Sequence, residues 1–564
     1  MKFVKITMAF IIFATLAQAA NGRDQVAKTS QFTARLLAVT DARDSENSIF
    51  DEALKAGKYE ALMMLGLIGG EACQKLVPYL RGENAEAQIW AAKGAAYCRD
   101  GKSDTLLLEQ MKAATNKPAW AAAVGFSGGE GSKEALAQAL NADDLTAGQK
   151  RAVLFGLLQA VAYDSTDATS IAGLDTRHLL TLADEGGEVG YAAAYVLARL
   201  QDVSEVVPFA IFEASYLRKL RGGYTPEGVD VERLRLLTRL AREYKDLSNI
   251  LLWAAASAEE QVIRHEAIRS MGYLSDDKTK ASLLNLANGD SEAASRHLAV
   301  DALGRRSGAN PALVALLEQY VSDDNRWVAT TALRWLGQRD AVAANEIAAD
   351  WLGGEDYYLA FQALIALTGS DEGKAILKAY ADANPDTVRG YEAAVALDPS
   401  IEAVTKPRKT PSAALLASYA DRQLVLETTR GKICVDMTGD APYAATSFLQ
   451  LADVGKMDGM LWHRVIPNFV SQAGQIENKE IGNWGSIREE WGGEHRIGTV
   501  GVATAGRDTG TTQFFINTGY NMHLDGRYTV FGKVYTDMGV VYALEEGDVI
   551  AKAYTADTRS GVCK

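Results

Sequence analysis

Cysteine, proline and histidine are all scarce in this chain of 564 residues, which has 4, 11 and 6 of them. No two cysteines form a C-x-x-C pair and the histidines are scattered, so the sequence offers no zinc-binding spacing. Basic residues are in the minority, because 58 Lys and Arg stand against 72 Asp and Glu and leave a formal charge of -14. An acidic chain without a basic cluster binds nucleic acid or an anionic membrane surface poorly. We therefore expect neither kind of partner.

Long apolar runs are also missing, so we expect no membrane span in the mature chain. The short apolar stretch from Met8 to Leu16 follows two lysines, Lys2 and Lys5. It precedes Ala17-Gln18-Ala19, and this order is typical of a secretory signal peptide over residues 1–19. The alternative, a buried first helix, fits the pattern less well. The sequence thus predicts an exported protein, located in the periplasm or outside the cell.

From about residue 25 to residue 400, apolar residues recur at helical spacing and one short pattern repeats. The pattern is an alanine and an apolar residue, followed at the next turn by an apolar residue and usually a glycine. It occurs at Ala267-Ile268 with Met271-Gly272, Ala299-Val300 with Leu303-Gly304, Ala332-Leu333 with Leu336-Gly337, and Ala363-Leu364 with Leu367-Thr368. The last apolar position recurs at intervals of 32, 33 and 31 residues, which is the length of a helix pair with its turns.

These repeats resemble HEAT-type repeats, and the resemblance implies an all-α, right-handed solenoid over residues 25–400. The same pattern occurs earlier in the chain, at Ala61-Leu62 with Leu65-Gly66. We expect each alanine to let neighbouring helices approach, and each glycine to end its helix with a left-handed backbone. His265 and His297 occupy equivalent repeat positions and are expected on the helix surface. The solenoid either offers a concave surface to a protein partner or serves as a spacer.

A change of pattern after residue 400 marks a domain boundary. Residues 401–420 contain the polar, proline-rich stretch Lys406 to Pro411 and are predicted to form a linker, with a short helix at its end. From Arg422 apolar residues alternate with period two, which predicts strands, and one amphipathic helix is expected from Pro442 to Val454. Residues 421–564 are therefore predicted to form a small, mainly-β barrel capped by helices.

The even number of cysteines predicts disulfides in an oxidising compartment. We expect Cys73 to pair with Cys98, because 25 positions can separate adjacent helices of a repeat stack. Cys434 is expected to pair with Cys563, since an early strand and the chain end can be neighbours in a closed barrel. Each bond would stabilise the fold by roughly 2–4 kcal/mol.

Several motifs of the last part resemble one enzyme family in both order and spacing. They are WHRVIPNFVSQAG from Trp462 to Gly474, TQFFIN from Thr512 to Asn517, LDG from Leu524 to Gly526, YTVFGKV from Tyr528 to Val534, and EGDVI from Glu546 to Ile550. Over about residues 421–556 they resemble the cyclophilin-type peptidyl-prolyl isomerases. The resemblance implies an eight-stranded barrel and isomerisation of X-Pro bonds in polypeptides, with no cofactor, nucleotide or metal.

The resemblance assigns catalysis to Arg464 and the orienting of this arginine to Gln472. Isomerisation breaks no covalent bond, so a catalyst must bind the twisted amide better than the planar one. An arginine suits that task because its guanidinium stays charged and presents several N–H groups in one plane.

The resemblance also implies a set of substrate-binding residues. They are an apolar socket for the proline ring at Phe469, Val470, Phe515 and Leu524, a groove for the preceding residues at Ala503, Thr504 and Gln513, and the flanking His463, His523 and Tyr528. His463 is expected to support the site and not to transfer protons. His523 stands where many eukaryotic members have a tryptophan that contacts cyclosporin, so weak cyclosporin binding is expected. Tyr528 replaces a histidine of those members and Thr504 an asparagine or arginine, which affects substrate preference.

Two functions fit these residues. The first is an exported isomerase that assists folding, with a solenoid that binds or positions client proteins. The second is a scaffold whose isomerase-like domain recognises prolyl segments without turnover. Arg464, Gln472 and Phe515 each supply a separate requirement of the reaction and favour the enzyme. We also expect a tetrapeptide substrate to be turned over equally well with or without residues 25–400.

Overall fold

The computed structural model describes residue 32 and residues 34–563, except for several internal positions. The exceptions are residues 99, 114–117, 143–144, 164–170, 201–228, 242–248, 250–251, 253, 255–257, 259, 307–310, 402–406, 476–483, 491–492 and 559. The predicted signal peptide, residues 1–19, lies outside the described residues. Among the helices of the described part, none has the length and apolar character needed to cross a membrane.

The first part of the chain is helical and begins with a helical stretch at residues 34–41. The following helices are α1 Ile49–Lys55, α2 Glu60–Ile68, α3 Val77–Leu80, α4 Ala85–Cys98, α5 Gly101–Ala113, α6 Pro118–Ser127, α7 Ser132–Leu140, α8 Ala147–Ala162, α9 Thr176–Glu185, α10 Gly187–Leu197, α11 Val229–Ala241, α12 Gln261–Met271, α13 Asp277–Gly289, α14 Ala293–Arg305, α15 Pro311–Tyr320, α16 Arg326–Arg339, α17 Ala341–Gly353, α18 Tyr357–Leu367, α19 Asp371–Ala383 and α20 Val388–Leu397. Short 3-10 helices lie at Gly70–Leu76 and Pro399–Ile401.

The repeated alanine pattern fills the core between neighbouring helix pairs. Helices α12, α14, α16 and α18 carry the four copies and pack against one another in sequence. The alanines Ala267, Ala299, Ala332 and Ala363 are completely buried. Because an alanine lets the next backbone approach closely, the stack buries a continuous core, as the sequence predicted.

The glycines of this pattern have a different role from the one expected. Gly272 has an ordinary right-handed φ of -63, and Gly66 and Gly304 lie inside their helices. A Cβ at Gly66 would lie 2.0 Å from the carbonyl oxygen of Gly94, and one at Gly304 would lie 2.2 Å from Cγ of Trp335. Gly66 and Gly304 therefore allow close contact between helices and do not end them, whereas Gly272 stands at the end of α12 without the left-handed backbone that was expected.

The expectation that His265 and His297 lie on the surface is wrong, since both are buried. The Nε2 of His265 lies 3.1 Å from Glu292, on the loop to the next repeat. The Nδ1 of His297 lies 2.6 Å from the hydroxyl of Thr331, and its ring stacks on Trp327 at 4.1 Å. Residues of the next repeat thus provide hydrogen-bond partners for both buried imidazoles. The sequence pattern of a single helix cannot reveal these contacts.

The second part of the chain is one eight-stranded antiparallel sheet that closes into a barrel. Its strands are β1 Arg422–Thr428, β2 Gly431–Met437, β3 Leu461–Ile466, β4 Val470–Gln475, β5 Thr499–Val502, β6 Phe514–Asn517, β7 Val530–Val534 and β8 Ile550–Asp557, in the order β3-β4-β6-β5-β7-β2-β1-β8. Backbone hydrogen bonds between residues 459–462 and 547–550 join the two edges. Helices α21 Ala413–Tyr419, α22 Pro442–Asp453 and α23 Met538–Tyr542 and a 3-10 helix at Met522–Leu524 also belong to this part.

Alternation along β1 divides its side chains as predicted. Leu424 and Leu426 lie in the barrel core, while Val425 packs on the outside against Cys434. Cys434 and Cys563 form a disulfide with a Cα–Cα distance of 6.2 Å. Cys73 and Cys98 form the second disulfide, with a Cα–Cα distance of 6.1 Å. Both predicted pairings are confirmed.

The described part of the predicted linker packs against both neighbours. The amide of Arg408 donates to the carbonyl of Ser486 at 2.7 Å, and the hydroxyl of Thr410 donates to Asp41 at 2.6 Å. The solenoid then contacts the barrel along one row of helices that pack against one another in series. The row consists of α2, α4, α6, α8, α10 and α11, followed by the repeat-bearing helices α12, α14, α16 and α18. Side chains of this row donate to carbonyls of the barrel: Tyr97 to Gly526, Gln159 to Met522, Tyr163 to His523, and Tyr191 to Tyr520.

Candidate active site

The hairpin of β3 and β4 places Arg464 and Gln472 directly opposite each other. Nη1 of Arg464 donates to Oε1 of Gln472 at 3.1 Å, and Nε2 of Gln472 donates to Oε1 of Gln513 at 2.8 Å. The turn between the strands needs Asn468, which has a φ of 62 that asparagine tolerates better than most residues. The two glutamines thus fix one side of the guanidinium and leave its other donors available.

The guanidinium of Arg464 is exposed and lies beside an aromatic ring. Its Cζ is 5.6 Å from the centre of the Phe469 ring. Partial desolvation lowers the pKa of Arg464 from its usual value, while Glu546 and Tyr528 oppose this shift. A guanidinium remains charged under these conditions and can donate to a substrate.

A small apolar cluster, separate from the barrel core, lies next to this arginine. Val470, Phe515 and Leu524 form its buried part, with 2%, 4% and 7% exposure. Phe469, Ala503 and Tyr528 pack around it and remain partly exposed. We refer to these six residues as the apolar pocket. It brings together residues from four separate motifs and presents an apolar lining beside Arg464.

His495, which lies outside every motif of the sequence, forms the floor of this pocket. Its ring stacks on Phe515 at 5.6 Å, and its Nε2 lies 3.0 Å from the carbonyl of Tyr528. Nδ1 lies 3.1 Å from the side-chain amide of Asn517. Burial lowers the pKa of His495 to about 4, so the imidazole is neutral and structural. A lone histidine in a stretch without a motif gives no signal of this role.

The predicted groove residues lie around the end of β5 and the start of β6, where Gln513 also accepts from Gln472. The amide of Ala503 donates to the carbonyl of Gln513 at 3.0 Å, and Thr504 follows with its side chain partly exposed. His463 is half-buried, with Phe361 of the solenoid edge-on at 6.4 Å. Burial lowers the pKa of His463 to about 4, so a neutral supporting role fits it.

His523 is placed between two aromatic rings. It stacks on Phe469 of the apolar pocket at 5.8 Å and on Tyr195 of the solenoid at 5.6 Å. Burial lowers its pKa to about 3. The sequence predicted a ligand-facing side chain, whereas one face of this ring is covered by α10.

Comparison with known proteins agrees with this geometry. Residues 423–559 match the family described as cyclophilin type peptidyl-prolyl cis-trans isomerase/CLD, and residues 248–334 match HEAT repeats. A peptidyl-prolyl cis-trans isomerase of Synechococcus elongatus is 41% identical over 136 residues, which are 23% of this chain and 92% of that protein. Peptidyl-prolyl cis-trans isomerase B of Bacillus subtilis is 41% identical over 114 residues, 20% of this chain and 80% of that protein.

Proposed function

The chain belongs to the cyclophilin-type peptidyl-prolyl cis-trans isomerases, and from that premise we propose that it isomerises X-Pro bonds of exported proteins and assists their folding. Arg464 carries the reaction, and the apolar pocket holds the proline ring. The observation that supports these roles most strongly is an exposed guanidinium, oriented by Gln472, beside an apolar pocket that is separate from the barrel core.

The barrier to rotation is about 18–20 kcal/mol and comes from the double-bond character of the amide. As the amide twists, the prolyl nitrogen becomes pyramidal and able to accept a hydrogen bond. Arg464 donates to that nitrogen, and this interaction is stronger in the twisted state than in the planar ground state. Gln472 and Gln513 keep the donor in place, while the pocket fixes the ring so that the preceding carbonyl rotates.

A protease-coupled isomerisation assay on the full chain tests the role of Arg464. Replacing one preorganised donor of this kind typically costs about a hundredfold in rate, so Arg464→Ala should lose that much kcat/KM. Arg422→Ala is the matched control, because Arg422 lies on β1 and donates to Thr555. Wild-type turnover by purified Arg464→Ala would refute the assignment.

The solenoid binds or positions clients in this proposal. One face of its repeat-bearing row already contacts the barrel, so clients use surfaces that this contact leaves exposed. Four exposed aliphatic side chains in the last helices suit polypeptides that have not finished folding, namely Val342, Ile365, Val388 and Ile401. A client that contacts both parts gains affinity, by as much as about 10²–10⁴ in favourable linkages.

The test compares the full chain with the variant Val342→Asp/Ile365→Asp/Val388→Asp. The variant should turn over a tetrapeptide normally but accelerate the refolding of a proline-limited protein at least about tenfold less well. Equal activity of both proteins on both substrates would leave the solenoid without a client-binding role. Export is tested separately by sequencing the N-terminus of the protein recovered from its host, which should begin at Ala20.

A further inference from the structure

A continuous stack of side chains connects the solenoid to Arg464. The guanidinium of Arg199 lies 3.2 Å over the Tyr195 ring, and Tyr195 stacks on His523 with an angle of 24° between the rings. His523 stacks on Phe469 with an angle of 16°, and Phe469 lies beneath the guanidinium of Arg464 at 5.6 Å. Tyr195 is almost completely buried, so the surrounding side chains restrict the movement of its ring.

A second connection reaches the same arginine through the backbone of β3. The hydroxyl of Tyr358, on α18, donates to Oε2 of Glu546 at 2.7 Å. Oε1 of Glu546 accepts the amide of Val465 at 3.0 Å, and Val465 directly follows Arg464. Glu546 itself is held by a side chain from outside the barrel, since Tyr358 and its partner Thr330 both belong to the solenoid.

We infer that Tyr195 and Tyr358 are positioning residues of the isomerase site, contributed by the solenoid. Tyr195 supports His523, which in turn holds Phe469 of the apolar pocket beneath the guanidinium. Tyr358 fixes the backbone beside Arg464 through Glu546. The inference rests on the proposed role of Arg464. It gives the solenoid a part in the turnover of any substrate, including the shortest peptide.

The exposed position of Arg464 explains why its guanidinium needs support from neighbouring side chains. Arg464 is exposed and makes its contact to Gln472 from one side only, so the ring beneath it limits where the guanidinium can go. Catalysis by a positioned donor is sensitive to small displacements, and a misplacement of about 1 Å can cost a hundredfold in rate. We therefore predict that tetrapeptide turnover depends on residues 25–400, in contrast to the expectation from the sequence, and the variants below decide between the two.

Variants of the full chain separate positioning from stability. Tyr195→Leu keeps an apolar side chain but removes the ring, and should lower kcat on a tetrapeptide about tenfold with little change in KM. Tyr195→Phe keeps the ring and should stay within about twofold of wild type. Tyr358→Phe removes only the hydroxyl and should lower kcat about threefold.

Tyr320 supplies the matched controls. It is a buried solenoid tyrosine whose hydroxyl donates to Asn288, within the solenoid. Tyr320→Leu and Tyr320→Phe should lower the melting temperature about as much as the test variants and leave kcat unchanged. An equal loss of kcat in these controls would show a general effect of solenoid stability and overturn the inference.

A double-mutant cycle with Arg464→Ala completes the test. If Tyr195 acts through Arg464, Tyr195→Leu should change the residual rate of Arg464→Ala by less than about twofold. Full additivity of the two losses, or wild-type kcat in Tyr195→Leu, would refute the inference while leaving the proposed function intact. An Arg464→Ala variant with normal activity would instead refute the proposed function.

Discussion

His523 shows at the residue scale how the solenoid changes the site. A cyclosporin-binding tryptophan offers a broad ring and an N–H donor, whereas His523 is smaller and Tyr195 covers one of its faces. We predict weak inhibition by cyclosporin in the tetrapeptide assay. Inhibition at the concentrations that inhibit a tryptophan-bearing member, measured side by side, would contradict this account of His523.

A second prediction at the residue scale is that buried His297 makes the stability of the protein depend on pH. Burial lowers its pKa from 6.5 to about 3, so between these values the unfolded chain binds more protons than the folded one. Stability therefore falls as the pH decreases below 6.5. Relative to His297→Phe, which does not titrate, the wild type should lose up to about 2 kcal/mol between pH 7 and pH 5.

Urea unfolding of both proteins at the two pH values measures this difference. Any cost of losing the hydrogen bond to Thr331 is present at both pH values and cancels in the comparison. A stability gap that stays constant with pH would mean that His297 binds its proton as readily in the folded protein as in the unfolded chain, and would contradict the lowered pKa.

At the scale of single elements, we predict how stability changes when a glycine at a contact between two helices is replaced by alanine. A Cβ at Gly66 would clash with the backbone of α4, so Gly66→Ala should destabilise the chain by about 1–3 kcal/mol. Gly353 lies at the end of α17, and apart from its chain neighbours and the backbone of its own helix no atom lies within 4 Å of such a Cβ. Gly353→Ala should therefore be neutral or stabilising by about 0.5 kcal/mol. Thermal unfolding measures the difference in stability between the two variants. Equal melting temperatures would contradict the close approach of α2 and α4.

Elements with strong local patterns were predictable from the sequence. The alanines of the repeats and the alternating faces of β1 reflect burial within one helix or strand, so periodicity alone locates them. The role of the glycines and the burial of His265 and His297 depend on the neighbouring repeat, which a local pattern does not contain. His495 stayed hidden for the same reason, because its contacts to Phe515 and Tyr528 come from distant parts of the chain.

At the scale of the whole molecule, the two parts share their interiors. Met522 of the barrel belongs to the core of the solenoid, and Trp327 of the solenoid belongs to the core of the barrel. Ion pairs at 2.9 Å, Arg151 with Glu494 and Arg496 with Glu188, add to this contact. The sequence predicted a linker and two tethered parts because contacts between distant segments, such as Met522 with the solenoid core, leave no local pattern in the sequence.

The shared core predicts that solenoid and barrel unfold together. On heating, the helical circular dichroism signal reports the solenoid and isomerase activity reports the barrel. Their midpoints should coincide within about 3 °C, as expected for one cooperative unit. Activity that persists after the helical signal is lost would show that the barrel is independent.

The central claim is that Arg464 catalyses rotation about the X-Pro bond. Exchange NMR on a proline-containing tetrapeptide tests it most directly, since it measures the cis–trans rate and peptide binding in one sample. The full chain should accelerate exchange at catalytic concentrations. Arg464→Ala should bind the peptide within a few-fold of wild type, through the apolar pocket, but lose about a hundredfold of the acceleration, and Arg464→Lys should recover only part of it. Undiminished exchange in Arg464→Ala, at unchanged binding, would contradict the claim that this arginine drives the rotation.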